Sequence, residues 1–379
     1  MSWPLVKLGD VAPAKPSKHA FSTSDDVWTL NLDQVEADTG KVLGKVMASV
    51  SEAGTSTHGF DERHVLYSKL RPYLNKVVLP DGRGLATTEL VPMLPDPLRL
   101  DRKYLAYYLR SKSFVDWVSS QVAGAKMPRV SMQLFWQHEI PLPPLPEQKR
   151  VAAILDKADA IRRKRQQAIQ LADDFLRAVF LEMFGDVVEG AGNVVKFSDI
   201  AVLDAPMVDP RDEKYIDLIH IGPDRIEKKI GKLLPALTAR DENLISKKFL
   251  FDDRYVLYSK IRPYLRKCAV AEGVGLCSAD MYPVRPVEET ATKEFLWMLL
   301  LSDFFTAYTE SLPARANIPK LNRQELEAFT LSLPEYSQQL KFSSIVRATN
   351  IASQRVVKSA AHVDGAFESL SQKAFSGQL

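Results

Sequence analysis

The side chains best suited to chemistry lie in one decapeptide that occurs twice. Val65–Leu74 reads VLYSKLRPYL and Val256–Leu265 reads VLYSKIRPYL, nine of ten residues the same. With Val65–Leu70 as a strand, alternation puts Tyr67, Lys69 and Arg71 on one face, and the following proline favours an extended Arg71. Tyr73 and Lys76 lie just beyond, and the second copy repeats the set as Tyr258, Lys260, Arg262, Tyr264 and Lys267. A cationic face with interleaved aromatics suits phosphate oxygens and, through guanidinium, guanine edges. Taken singly, each residue fits a solvated strand edge or a structural tyrosine equally well; the duplicated cluster favours nucleic acid. A second basic pair repeats too, with Lys126 and Arg129 in the loop Gly124–Arg129 and Arg315 and Lys320 in Pro313–Lys320. Loops on a rigid scaffold often contact ligands and are as often plain connections.

Catalytic chemistry finds no comparable constellation. The chain contains neither GxxxxGK[ST] nor GxGxxG, and so no phosphate-cradling loop. The Asn-Pro-Pro-aromatic tetrapeptide of amino-methylating DNA methyltransferases does not occur either. Pro210, Asp212, Glu213 and Lys214 loosely resemble nuclease carboxylates, but acidic turn residues explain them better. The 6 histidines have no metal-ligand spacing, and Cys268 and Cys277 stand in a C-x8-C arrangement that fits no zinc site. No metal site is expected. Two thiols in 379 residues suggest a reducing compartment, the cytoplasm. No run of 18 apolar residues provides a membrane span, and MSWPLVKLGD lacks a secretory pattern. A net charge of +3 leans only mildly towards polyanions.

The elements that must hold these residues are organised around Leu145–Asp186. After Pro146, a favourable first-turn residue, no proline or glycine occurs until Gly185. Ile154, Ala158, Ile161, Ala168, Ala172, Phe175 and Val179 form one stripe at helical spacing, with Leu155, Ile169, Leu176 and Met183 beside it. Some 38 residues of helix span roughly 57 Å, more than an ordinary globular helix. Ahead of it, strands are expected at Val27–Leu32, Val65–Leu70 and Lys76–Leu79, and a helix at Lys103–Gln121. The proline cluster PLPPLPEQ marks a domain exit.

The offset of 191 residues that relates the decapeptides also carries Gly40 to Gly231, Pro128 to Pro319 and Gln148 to Gln339. A sustained ungapped match of this kind indicates duplication. It includes the long helix: Glu335–Phe375 carries Ile345, Val356, Val363 and Leu370 at three-and-four spacing. The expected architecture is α+β: two mixed domains at 1–144 and 188–334, with long helices at 145–187 and 335–379. An antiparallel, coiled-coil-like helix pair would relate the two domains by a pseudo-twofold axis. Apolar residues left over on the helices, represented by Ile154, Ile161, Phe175, Leu176, Ile345, Val356, Val363 and Leu370, provide a surface for partners.

ELVPMLPD, IPLPPLPEQKRVAAIL, the helix end FLEMFGD, the two decapeptides and the terminal ESLSQKAFSGQL together resemble the specificity subunit of Type I restriction-modification systems. The resemblance covers essentially the whole chain and departs at the second exit, where LSLPEYSQQ replaces the proline-rich form. It implies a non-catalytic protein whose two target-recognition domains each read half of a split double-stranded DNA target. It also implies two modification subunits carrying S-adenosylmethionine, and restriction subunits using ATP and Mg, with no cofactor on this chain. Two readers joined by rods suit half-sites about one helical turn, roughly 34–36 Å, apart. The rival readings are a tandem-repeat scaffold that binds only proteins and, further off, a self-contained DNA-modifying enzyme.

Overall fold

The structure, a computed structural model, describes residues 3–54, 56–122, 127–313 and 318–379, with backbone alone at 358–364 and 366. The chain forms two compact units: Met1–Gln166 with Lys358–Leu379, and Gln167–Val357. The division falls inside both long helices because the ends of each helix are built into different cores. The fold is mixed α/β.

In the first unit, a four-stranded sheet has the order Val46–Ser49, Asp26–Leu30, Gly84–Thr87, Thr57–Phe60. A second sheet sets Val65–Ser68 between Val77–Val78 and Leu90–Met93. The decapeptide strand is buried on both faces: Leu66 joins the core of Trp28, Leu30 and Phe60, while Val65 and Tyr67 face the helices. The expected helix at Lys103–Gln121 is two, Arg102–Arg110 and Lys112–Ser120. Ser111 ends the first in an extended conformation and caps the second, its Oγ accepting from Phe114 N. Such capping satisfies amide donors that a helix start leaves free. The helix Met132–Gln137 and the strand Glu139–Pro141, which pairs with Leu5–Lys7, then lead to the exit.

In the second unit the decapeptide strand Val256–Ser259 lies between Cys268–Val270 and Met281–Pro286. The neighbouring sheet runs Met207–Val208, Lys248–Phe251, Gly275–Cys277, His220–Ile221. The helices Lys293–Leu301 and Asp303–Ser311 meet at Ser302, which caps as Ser111 does. Gly40 and Gly231 occupy matching turns at φ +63° and +77°. A Cβ on either would lie 1.8 Å from Val77 O or 2.8 Å from Cys268 O, too close for any side chain.

The long helices are Leu145–Val188 and Tyr336–Ser376. The first runs through Gly185, beyond the expected end. Each start is tied to its own unit by a fully buried glutamine. Gln148 Nε2 donates to Arg99 O and Pro143 O at 2.8 and 2.7 Å, and its Oε1 accepts from Asp101 N at 2.8 Å. Gln339 repeats this with Thr290 O, Pro334 O and Thr292 N at 3.2, 2.9 and 3.0 Å. This is the physical content of the PEQ exit: one amide closes three buried backbone groups at the start of the helix. Within the first unit the helix segments run antiparallel, with Arg150 reaching Leu379 O and Arg162 lying over Phe367. Within the second, Phe180 and Phe184 pack on Phe342.

Packing sorts the helix residues expected to face partners. Leu176 is buried in the second unit's core, and Ile345 packs against that core. Leu370 packs against the first unit's core. These three are spent on their own units, because each core needs a helix face to close it. Ile161 and Phe175 remain about half exposed, at 48% and 50%. Ile154 and Val356 are partly covered, and the side chain of Val363 lies outside the described residues.

Candidate nucleic-acid interface

The two basic features that the sequence repeats separately are brought together in each unit. Leu70 forms an antiparallel bridge with Arg129, and Ile261 forms the same bridge with Lys320. In the first unit Arg71 N donates to Pro128 O at 2.7 Å and Val130 N to Lys69 O at 3.0 Å. In the second, Arg262 N donates to Pro319 O at 2.8 Å and Leu321 N to Lys260 O at 2.9 Å. A third bond fixes each lysine backbone: Lys69 N to Glu89 O at 3.0 Å and Lys260 N to Asp280 O at 3.1 Å. The result in each unit is a clip of three segments that presents arginine and tyrosine on a rigid frame.

Arg71 is not extended. It adopts the left-handed conformation at φ +48°, as Arg262 does at +51°. Asn75 and Arg266 follow at +50° and +49°. The turns Pro72–Leu74 and Pro263–Leu265 lie between these residues, and the left-handed pair reverses the chain at both ends of each turn. Left-handed non-glycine residues are uncommon and cost of order 1–3 kcal/mol each. Two in each clip at the same register mean that the backbone bonds above hold them there. The arginine and tyrosine are thereby thrown outward: Arg71 and Arg262 are exposed, and Tyr73 and Tyr264 are 51% and 43% exposed.

Five other expected contact residues are spent inside the fold. Tyr67 and Tyr258 are buried, 2% and 1% exposed, with hydroxyls unpartnered among the described residues. The alternation argument fails for them because the strand carries a core on each face. Lys76 Nζ donates to Leu32 O and Lys267 Nζ to Pro223 O, both at 2.6 Å, so these ammonium groups pin a neighbouring turn. Lys260 joins them: its side chain is only 16% exposed, and its Nζ donates to Ala279 O and lies over the Tyr282 ring. Lys126 and Arg315 lie outside the described residues. The surface set that remains is Lys69, Arg71, Tyr73 and Arg129, with Arg262, Tyr264 and Lys320.

An acid enters each clip at the same offset, and the sequence reading passed over it. Glu89 holds Arg129 with Nη2–Oε1 at 2.9 Å. Asp280 lies 3.6 Å from Lys320 Nζ and 4.0 Å from Lys260 Nζ. The signal that could have found them is the repeat itself, an acid 20 residues after Lys69 and another 20 after Lys260. Burial and the charge of Lys320 lower the Lys260 pKa, with Asp280 opposing. Burial and then the charge of Lys69 lower that of His58. Among the described residues no cluster of His, Cys, Asp or Glu could hold a metal, and no helix is long and apolar enough to cross a membrane.

Comparison with known proteins gives concordant likenesses. Residues 71–171 match the family model of the Type I restriction modification DNA specificity domain. That range runs from Arg71 through the bridge loop and the PEQ exit into the long helix. A stretch of 189 residues, 49% of the chain, is 30% identical to the Type I restriction enzyme EcoDI specificity subunit of Escherichia coli. The match spans 41% of that subunit, less than half its length. Among solved structures, the Type-I restriction-modification system S subunit from M. genitalium superposes with a TM-score of 0.57 at 12% identity, covering 99% of this chain and 96% of that one. A chain from a type I R-M system, described for its complex assembly and conformational transition, gives 0.55 at 17% identity, covering 100% and 98%. The chain thus resembles Type I specificity subunits in sequence over part of its length and in fold throughout.

Proposed function

We propose that this chain is the non-catalytic DNA sequence-specificity subunit of a Type I restriction-modification complex. The observation that carries the reading is the clip, formed twice with the same exposed arginine and tyrosine on a braced backbone. Two equivalent cationic sites in one chain suit two contacts with one polyanion, and phosphate contacts of this kind position a reader on a duplex.

In this reading residues 1–144 and 188–334 are duplicated target-recognition domains, each taking one half of a bipartite double-stranded site. The helices at 145–187 and 335–379 form the antiparallel pair that sets the spacer. Two modification subunits dock along the helices, where Ile161 and Phe175 leave apolar surface uncovered. S-adenosylmethionine belongs to those subunits, ATP and Mg to restriction subunits, and the assembly works in the cytoplasm. Methylation mapping of cells with and without this gene tests the proposal. A bipartite adenine-methylation pattern should disappear with the gene; a pattern that persists unchanged would refute it. Inserting one helical turn near Ala168 should lengthen the spacer while both half-sites stay the same.

A further inference from the structure

What the two clips share cannot tell two half-sites apart. Arg71 and Arg262, and Tyr73 and Tyr264, are identical exposed pairs, as suits the sequence-independent task of gripping phosphate. The acid–base pair on the same clip does differ. Glu89 and Arg129 in the first unit become Asp280 and Lys320 in the second.

The geometry gives that difference a chemical meaning. Glu89 engages one edge of the guanidinium: Arg129 Nε lies 3.1 and 3.2 Å from the two carboxylate oxygens, and Nη2 lies 2.9 Å from one of them. A guanidinium carries five N–H donors in a planar fork. With the Nε side occupied, the Nη1–Nη2 edge still offers two parallel donors, and it has no partner among the described residues. The side chain is 51% exposed while its acid is only 21% exposed, so the fork is held from behind and open in front. Two parallel donors match the O6 and N7 acceptors of guanine in the major groove. In the second unit one carboxylate is divided between two ammonium groups at 3.6 and 4.0 Å. An ammonium is a rotatable point charge without a planar fork.

We infer that Arg129, buttressed by Glu89, selects guanine in the half-site read by the first domain, and that Lys320 with Asp280 makes no such selection in the other. The inference rests on the DNA-specificity reading above. Arg129 is the contacting residue and Glu89 the positioning one.

The test is selection from a random duplex pool by the full chain assembled with its modification subunits. The parent selects guanine at one position of one half-site, by roughly 5- to 150-fold over other bases. Arg129→Lys, which installs the second unit's residue, loses that preference and no other. Glu89→Gln relaxes the same position without changing the melting temperature, and Glu89→Asp restores part of it. The double change Lys320→Arg with Asp280→Glu adds a guanine preference in the other half-site. If Arg129→Lys selects the parent's base at every position, the inference is overturned while bipartite recognition stands. A parent that selects no bipartite sequence overturns the recognition reading, and this inference with it.

Discussion

The two units place a common frame of strands and helices, varied at the sheet edges, around different side chains. In the second, the long-helix segments and the helix Lys293–Leu301 meet in an aromatic quartet of Phe180, Phe184, Phe295 and Phe342, with ring centroids 5.4–5.8 Å apart. The corresponding residues of the first unit are Ser371, Phe375, Tyr104 and Val151, and one ring pair remains, Tyr104 on Phe375 at 5.3 Å. One strand carbonyl makes the same point. Val77 O accepts from the guanidinium of Arg110, whereas Cys268 O, its counterpart, accepts from the Trp297 indole. Trp297 corresponds to Ala106 and Arg110 to Leu301, so the donor has moved by one helical turn and the acceptor has kept a partner. The cores of the two units have therefore been free to change side chains. The exposed Arg and Tyr of the clips have not changed, and packing gives no reason for that constancy.

Losses should be unequal where the units differ. Phe342→Ala should destabilise the second unit by about 3–5 kcal/mol, and Val151→Ala the first by less. Hydrogen exchange at 176–188 and at 367–376 would separate the two effects, and equal losses would break the comparison. Where the units agree, the losses should agree. Gln148→Leu and Gln339→Leu each strand buried backbone groups, at about 1–3 kcal/mol, and calorimetry should find the two close to one another.

The smallest effect is one of pH. Trp117, stacked at 3.9 Å, and neighbouring rings bury His138, and its imidazole is held at about 4, below the ordinary 6.5. Tyr108 Oη lies 2.8 Å from its Nε2. The folded chain then binds this proton more weakly than the unfolded chain. The stability that depends on neutral His138 is complete above pH 6.5 and falls away as pH drops towards and through about 4. The second unit has Phe329 at this position, buried among Phe304, Phe305 and Tyr308. His138→Phe should flatten the first unit's stability over that window, read by urea denaturation at a series of pH values. An unchanged slope would mean that other groups titrate there.

The long helices were legible because their signal is local. Freedom from proline and apolar spacing placed Leu145–Asp186 within two residues of the observed Leu145–Val188. The repeat was legible because identity at a fixed offset needs no structure. The break at Ser111 was not, since apolar spacing continues across it and only the cap reveals two helices. Tyr67 and Tyr258 were misplaced because alternation assumes one wet face, and the strand has none. Left-handed Arg71 ran against the proline rule, which weighs a local clash but not the long-range bond from Arg71 N to Pro128 O. The joining of Leu70 to Arg129 across 59 residues is tertiary, and no local pattern announces it.

If each clip holds its own half of one DNA target, the assembled complex carrying Arg71→Ala or Arg262→Ala will reveal it in its binding to duplexes altered in one half-site at a time. Each variant should bind the intact target about tenfold more weakly, with a shallower salt dependence. Arg71→Ala should leave the penalty for altering the second half-site unchanged, and Arg262→Ala that for the first. Variants that bind as tightly as the parent, or that lose discrimination in both halves together, would contradict the account.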